Sequence, residues 1–283
     1  MKDILSEIAE RTRKRVADQK TSVSSEEMIR QAENVRKYGC GRLTADGEIS
    51  RVGATDAGTG ETYPFRDALL GEGIHLICEV KKASPSKGVI AEEFPYVEIA
   101  KDYERGGASA ISVLTEPYYF LGSSGYLQEI RREVTVPILR KDFIVDEYQI
   151  YETKALGADA CLLICAILDR DSLKQYLELA HRLGLSALVE THDVAEIEMA
   201  VEAGAGIIGV NNRNLKDFSV DIGHSQELRR FVPDGTIFVA ESGIREKEQV
   251  VQLYGEGVNA VLIGETLMRA QDRAAAVREF MCM

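Results

Sequence analysis

The stretch GGASAISVLTEP, Gly106–Pro117, sets small residues ahead of a short apolar run and closes it with polar groups. The phrase returns as LGADACLLICAI from Leu156, LGLSALVETHD from Leu183, AGAGIIGVNNRNL from Ala203 and EGVNAVLIGETLM from Glu256. Three variants, EGIHLICEVKKASPSKG from Glu72, TVPILRKDF from Thr135 and GTIFVAESGI from Gly235, bring the runs to eight. Their cores are short and continuously apolar, as parallel strands covered on both faces require.

Helical patterns fill the gaps. They are expected over Pro95–Arg105, Tyr126–Arg132, Tyr148–Leu156, Ser172–Leu183, Val194–Ala203, Ser225–Phe231, Lys247–Tyr254 and Ala274–Phe280. In the fourth, Leu173, Tyr176, Leu177 and Ala180 recur at helical spacing, with Asp171 as the candidate cap; Asp193 is the candidate cap of the fifth. Strand and helix alternate eight times, and right-handed crossovers then favour an α/β (β/α)8 TIM barrel over the competing open, doubly wound sheet. Two further helices precede it, Asp3–Asp18 and Ser24–Tyr38, the second opening with Ser24 three residues before Glu27 as in a capping box. Cys40–Tyr63 is rich in Gly, Thr and Asp and reads as a long mobile loop, a passive insertion in preference to a lid. Residues 1–64, helices and loop, are expected to form one domain with the barrel of residues 65–283.

Composition bounds the function. The chain has 283 residues, 45% hydrophobic and 28% charged, enough for a large core. A net charge of −12 disfavours nucleic acid, so cations that hold an anionic ligand must be local. The longest strongly apolar run, Ala160–Leu168, is too short to span a membrane, and the charged N-terminus lacks a signal-peptide core. Five cysteines without a CxxC pair fit a reduced, cytoplasmic setting, and Cys161 and Cys165 read as buried small side chains, not metal ligands. No metal is expected.

In such barrels the ligand meets the C-terminal ends of the strands. The runs here end in Glu79-Val80-Lys81, Arg140-Lys141-Asp142, Glu190, Asn211-Asn212-Arg213, Glu241-Ser242-Gly243 and Gly264-Glu265. Strand parity puts Glu79 and Lys81 on one face, and Asn211 and Arg213 likewise. Charges entering a barrel mouth are costly unless paired with each other or with a ligand. A simple ion pair would explain Glu79 and Lys81; it does not explain seven such groups on five strands. Ser242-Gly243 and Gly264-Glu265, on the last two strands, offer backbone N–H groups where this fold often holds phosphate. A lysine crowded by other cations would have a lowered pKa.

These residues resemble a known family. ICEVKKASPSKG (Ile77–Gly88), LRKDFIVDEYQIYE (Leu139–Glu152), ALVETH (Ala187–His192), GVNNRNLKDF (Gly209–Phe218), VAESGI (Val239–Ile244) and LIGETLM (Leu262–Met268) look like indole-3-glycerol-phosphate synthase. The likeness covers about Phe65–Arg269 and the two N-terminal helices, which resemble that family's helical extension over the barrel mouth. It implies conversion of 1-(2-carboxyphenylamino)-1-deoxyribulose 5-phosphate to indole-3-glycerol phosphate in tryptophan biosynthesis, with loss of CO2 and water and no cofactor. It also implies roles. Lys141 is the general acid of ring closure, Lys81 holds the substrate carboxylate, and Glu190 is the acid/base group of dehydration. Glu79 and Asn211 position lysine and substrate, Glu241 and Ser242 stand close by, and Arg213 helps to bind anion. Phosphate falls to the backbone of Gly243, Gly264 and Glu265, with Ser84 near. The partner implied is a small phosphorylated substrate, without membrane or nucleic acid, bound by a monomer.

Two features depart from the family pattern: Glu265 puts an acid where many relatives have Ser, and the 40–63 stretch is long. A phosphosugar isomerase barrel would instead end its first and sixth strands in Cys and Asp, and a non-catalytic barrel would lack a charged group. His75, His181, His192 and His224 are given no role. Tyr118, Tyr119, Phe120 and Phe143 either line an aromatic pocket or pack in the core.

Overall fold

The computed structural model describes residues 4–43, 49–52, 62–214 and 217–282. Eight parallel strands close into a barrel: β1 His75–Val80, β2 Ala110–Leu114, β3 Ile138–Lys141, β4 Ala160–Ile164, β5 Ser186–Thr191, β6 Ile207–Asn211, β7 Ile237–Glu241 and β8 Ala260–Ile263. Each pairs with its successor, and β8 returns to β1 with Ile263 opposite Cys78.

Alternation along the strands explains the continuous apolar runs. Ile77, Leu139, Leu162, Leu188, Val239 and Leu262 fill the inside of the barrel. Their neighbours Leu76, Cys78, Val113, Leu163, Val189 and Val261 pack outward beneath the helices. Both faces are covered, so both stay largely apolar until the strand leaves the core, the buried Ser112 at the middle of β2 being an exception.

Helices follow the strands over Tyr96–Gly106, Ser124–Glu133, Glu147–Ala155, Arg170–Arg182, Val194–Glu202, Gly223–Arg229, Lys247–Gly255 and Arg273–Met281. Asp193 caps its helix as expected, its side chain accepting from Glu196 N. The Arg170–Arg182 helix is capped by Asp169, not by Asp171: it begins three residues before the apolar periodicity does, and Asp169 accepts from Ser172 N. The first periodic apolar residue marks the start of burial, whereas the cap belongs to the first turn of backbone.

Two long helices stand before the barrel, α1 Ile4–Ser22 and α2 Ser25–Tyr38, and a single helical turn, Pro64–Asp67, leads into it. Ser24 caps α2 by accepting from Glu27 N, but Glu27 does not complete the box; its carboxylate takes Arg30 and Gln31 instead. Met28 of α2 and Val16 of α1 enclose Tyr148, and Tyr148 Oη donates to Val23 O at 3.1 Å. Helix α1 crosses the C-terminal end of the barrel. Arg15 forks onto both oxygens of the buried Asp142 at 2.8 and 3.0 Å, while Leu5 and Ile8 join the inner core.

The 40–63 stretch is not wholly loop. Cys40–Leu43 and Ile49–Val52 form an antiparallel pair, Cys40 opposite Val52. The signal was weak: Asp46-Gly47 stands between two short runs, and only the second, with Ile49 and Val52, carries β-branched residues. The remainder of the loop reading, residues 44–48 and 53–61, lies outside the described residues.

Candidate active site

At the C-terminal end of the barrel is a cavity of about 570 Å³, the size of a small-molecule site. Each of the twelve residues singled out above reaches its wall: Glu79, Lys81 and Ser84 after β1, Lys141 ending β3, and Glu190 near the end of β5. Asn211 ends β6 with Arg213 beyond it, Glu241-Ser242-Gly243 ends β7, and Gly264-Glu265 follows β8. Ile4, Leu5 and Ile8 of α1 close one side. Phe120 and Phe143 line it as well, their ring centroids 6.0 Å apart. Tyr118 and Tyr119 face α1 instead: the Arg11 guanidinium lies 4.1 Å from the Tyr118 ring centre, and Tyr119 Oη donates to Glu7 at 2.6 Å.

The polar groups form an alternating set. Lys141 Nζ donates to Glu241 Oε2 at 2.6 Å and to Glu190 Oε2 at 3.1 Å. Asn211 Nδ2 donates to Glu190 Oε1 at 3.1 Å, and Asn211 Oδ1 accepts from Arg213 N. Lys81 pairs with Glu79. Arg213 Nη1 donates to Phe218 O at 3.2 Å.

The expectation of a lowered lysine pKa is overturned for Lys141. Burial by itself pulls it down, but Glu241, Glu190 and Glu79 more than offset that, and the net shift is upward. The neighbours are carboxylates, not cations, so the ammonium form is held. Burial pushes Glu241 up to about 7, against the pull of Lys141, with Glu190 adding to the rise. Glu190 moves the other way: burial raises it, but Lys141 and His192 outweigh burial and hold it ionised. Two buried carboxylates around one ammonium thus differ in proton affinity, the condition for separate acid and base duties.

Two glycines make room for this. A Cβ on Gly209 would stand 2.3 Å from Glu241 Oε1, and one on Gly264 would stand 2.2 Å from Glu79 Oε2. Ser242, φ 70°, holds the left-handed conformation that costs a side-chain residue about 1–2 kcal/mol, a strain typical of sites where function fixes the backbone. The Glu265 side chain is turned to Arg269 at 3.2 Å, with Lys87 at 4.0 Å.

Sequence reasoning passed over several participants. Asn212 parity-points away from the cavity, yet its Nδ2 donates to Ser242 O at 3.2 Å and its Oδ1 accepts from Ser225 N at 2.9 Å, tying the β6 and β7 ends together. Its place beside Asn211 was the only signal. Lys87, Arg245 and Arg269 line the wall from loops and a short helix that strand endings do not reveal. His192, set aside with the other histidines, lies 3.5 Å from Glu190. Among the described residues no group of three or more His, Cys, Asp or Glu side chains is arranged to hold a metal.

Comparison with known proteins gives a consistent match. The family model "Indole-3-glycerol phosphate synthase" matches residues 43–280. A protein so named from Endomicrobium trichonymphae is 60% identical over 215 residues, 76% of this chain and 83% of its own. One from Lachnoclostridium phytofermentans is 48% identical over 276 residues, 97% of both chains. A solved structure of 3-hexulose-6-phosphate synthase from Salmonella typhimurium superposes with a TM-score of 0.61 at 16% identity, over 74% of this chain and 97% of that one, a likeness of fold alone.

Proposed function

Since this chain belongs to the indole-3-glycerol phosphate synthase family, and is by that membership a carboxy-lyase of tryptophan biosynthesis acting on a phosphorylated small molecule, we propose a division of labour within its cavity. The substrate is 1-(2-carboxyphenylamino)-1-deoxyribulose 5-phosphate. Its ring lies against Phe120 and Phe143, its carboxylate against Lys81, and its phosphate at the backbone of Gly243, Gly264 and Glu265, with Ser84 and Arg213 near.

Lys141 is the general acid. Ring closure makes the ketone carbon electrophilic by giving its oxygen a proton, and a held ammonium is a donor suited to that step. Loss of CO2 then restores the aromatic ring. Glu190, ionised, removes the C–H proton in dehydration, and Glu241, which binds a proton near neutrality, exchanges protons with Lys141. Glu79 and Asn211 keep Lys81 and Glu190 in place, and Ser242 shapes the anion loop. Residues 1–64 belong to the barrel domain in this reading, which α1 supports by supplying part of the cavity wall, and the protein works as a monomer.

The single observation that carries this reading is Lys141 between Glu241 and Glu190 at the cavity wall. The test is indole fluorescence after mixing purified protein with this substrate, chelator present. A steady rise supports the reading; a folded sample that binds the substrate without any rise counts against it.

A further inference from the structure

His192 sits two residues beyond Glu190, on the same side of the β5 exit. Glu196 grips it twice: Oε2 accepts from His192 N at 2.7 Å and lies 3.1 Å from Nδ1. His224 Nε2 lies 2.7 Å from His192 O. With backbone and Nδ1 fixed, Nε2 has one direction left. It is buried, makes no hydrogen bond among the described residues, and lies 3.5 Å from Glu190 Oε1, the oxygen that also accepts from Asn211. The ring is not part of the cavity wall, whereas Glu190, Lys141 and Asn211 are. Its side chain is 18% exposed and that of Glu196 19%, so the far end of this acid–imidazole–acid row touches solvent.

The chemistry gives such a row a use. Ring closure places one proton on the ketone oxygen. Decarboxylation releases CO2 from a carboxylate. Dehydration places a second proton on the hydroxyl group and removes one from carbon. The sum is one proton taken up from solvent per turnover, while substrate fills the mouth of the cavity.

We propose that His192 is a positioning residue of the proton machinery, its Nε2–H facing Glu190 from the side away from substrate, holding Glu190 ionised as base and exchanging protons between it and solvent. This rests on the role assigned to Glu190. The charged groups facing the imidazole are Glu190 on β5, Glu196 at the next helix and Glu241 on β7, while His224 from the Gly223–Arg229 helix meets the His192 carbonyl and Cys165 donates its Sγ–H to Glu196 O. Burial lowers the imidazole pKa, but Glu196, Glu190 and Glu241 outweigh it, and the net direction is upward, toward the charged ring.

The test is His192→Gln. Removing a cation beside Glu190 makes that carboxylate easier to protonate, so the acidic limb of kcat moves to higher pH by about 0.5–1 unit. At neutral pH kcat falls about 3–30-fold with KM within about twofold, the loss of a supporting group and not of an acid/base group. His192→Lys, which restores a cation, brings the limb back. An unmoved limb in His192→Gln overturns the proposal, as does a parallel rise in KM alone. A second measurement does not need turnover: in protein carrying 15N-histidine, the His192 titration moves down in Glu190→Gln and in Glu196→Gln. Titration unchanged by both also overturns it. Near-normal turnover in Glu190→Gln would instead remove the role of Glu190, while the titration still reports whether the two side chains are coupled.

Discussion

At the scale of single residues, the site works by opposing environments. Glu190 and Glu241 both touch the Lys141 ammonium and both are buried, yet one is held ionised and the other is pushed up to about 7. The difference lies in the other neighbours: Glu190 has Asn211 and His192, whereas Glu241 Oε1 has no hydrogen-bond partner among the described residues. A base must be ionised to accept a proton, so Glu190→Gln is expected to lower kcat by about two to four orders of magnitude with KM little changed. A rise in KM with normal kcat would make Glu190 a binding group. Strand parity and endings made eleven of the twelve wall residues legible from sequence, and the family resemblance added Ser84. The sign of the Lys141 shift was not legible, because it depends on which charges come from β5 and β7, distant in the chain.

At the scale of elements, each strand delivers a polar group by continuing the alternation that buries its apolar residues. Ile207, Gly209 and Asn211 of β6 share the inward face, and the glycine sits where the Glu241 carboxylate needs space. Gly209→Ala puts a methyl group against a buried carboxylate. Expected are destabilisation of about 1–3 kcal/mol and a loss of turnover exceeding that of a distant core change of equal cost, because Glu241 is pushed off Lys141. Denaturant unfolding combined with kcat measures both; turnover near normal would mean that the carboxylate moves without consequence. Helix positions followed from periodicity, and their caps less reliably, because Asp169 and Asp171 are equally good cap residues by type. The Cys40–Leu43 and Ile49–Val52 pair escaped because its composition resembles a loop more than a strand.

At the scale of the molecule, α1 and the barrel share one buried charge network. Asp142, next to Lys141, accepts from Arg15 of α1, from Arg140 at 3.1 Å and from Thr115 at 2.8 Å, and Arg140 also donates to Glu152 at 2.6 Å. Burial raises the Asp142 pKa, but Arg15 and Arg140 overcome that and hold it below its ordinary value of 3.8. A depressed carboxylate stabilises the fold above its unfolded pKa and loses that contribution as pH falls through and below about 4. Arg15→Ala is expected to cost about 2–4 kcal/mol near neutrality and to make acid unfolding begin at higher pH. Thermal unfolding from pH 3 to 7 tests this; equal curves for both proteins would show that the fork carries no net stability. The same variant is expected to raise KM, because Ile4, Leu5 and Ile8 on that helix wall the cavity. The extension was visible in sequence as two helical patterns, but nothing in its residues named Asp142 as its partner.

The claim on which these scales converge is that Lys141, held charged by Glu190 and Glu241, delivers the proton that closes the ring. The most direct measurement is the single-turnover rate of indole formation by Lys141→Met, with substrate binding measured in parallel. Normal folding and binding with a rate about two to four orders of magnitude lower is the predicted result. A rate near that of the unaltered protein would contradict the assignment and leave Lys81 as the acid.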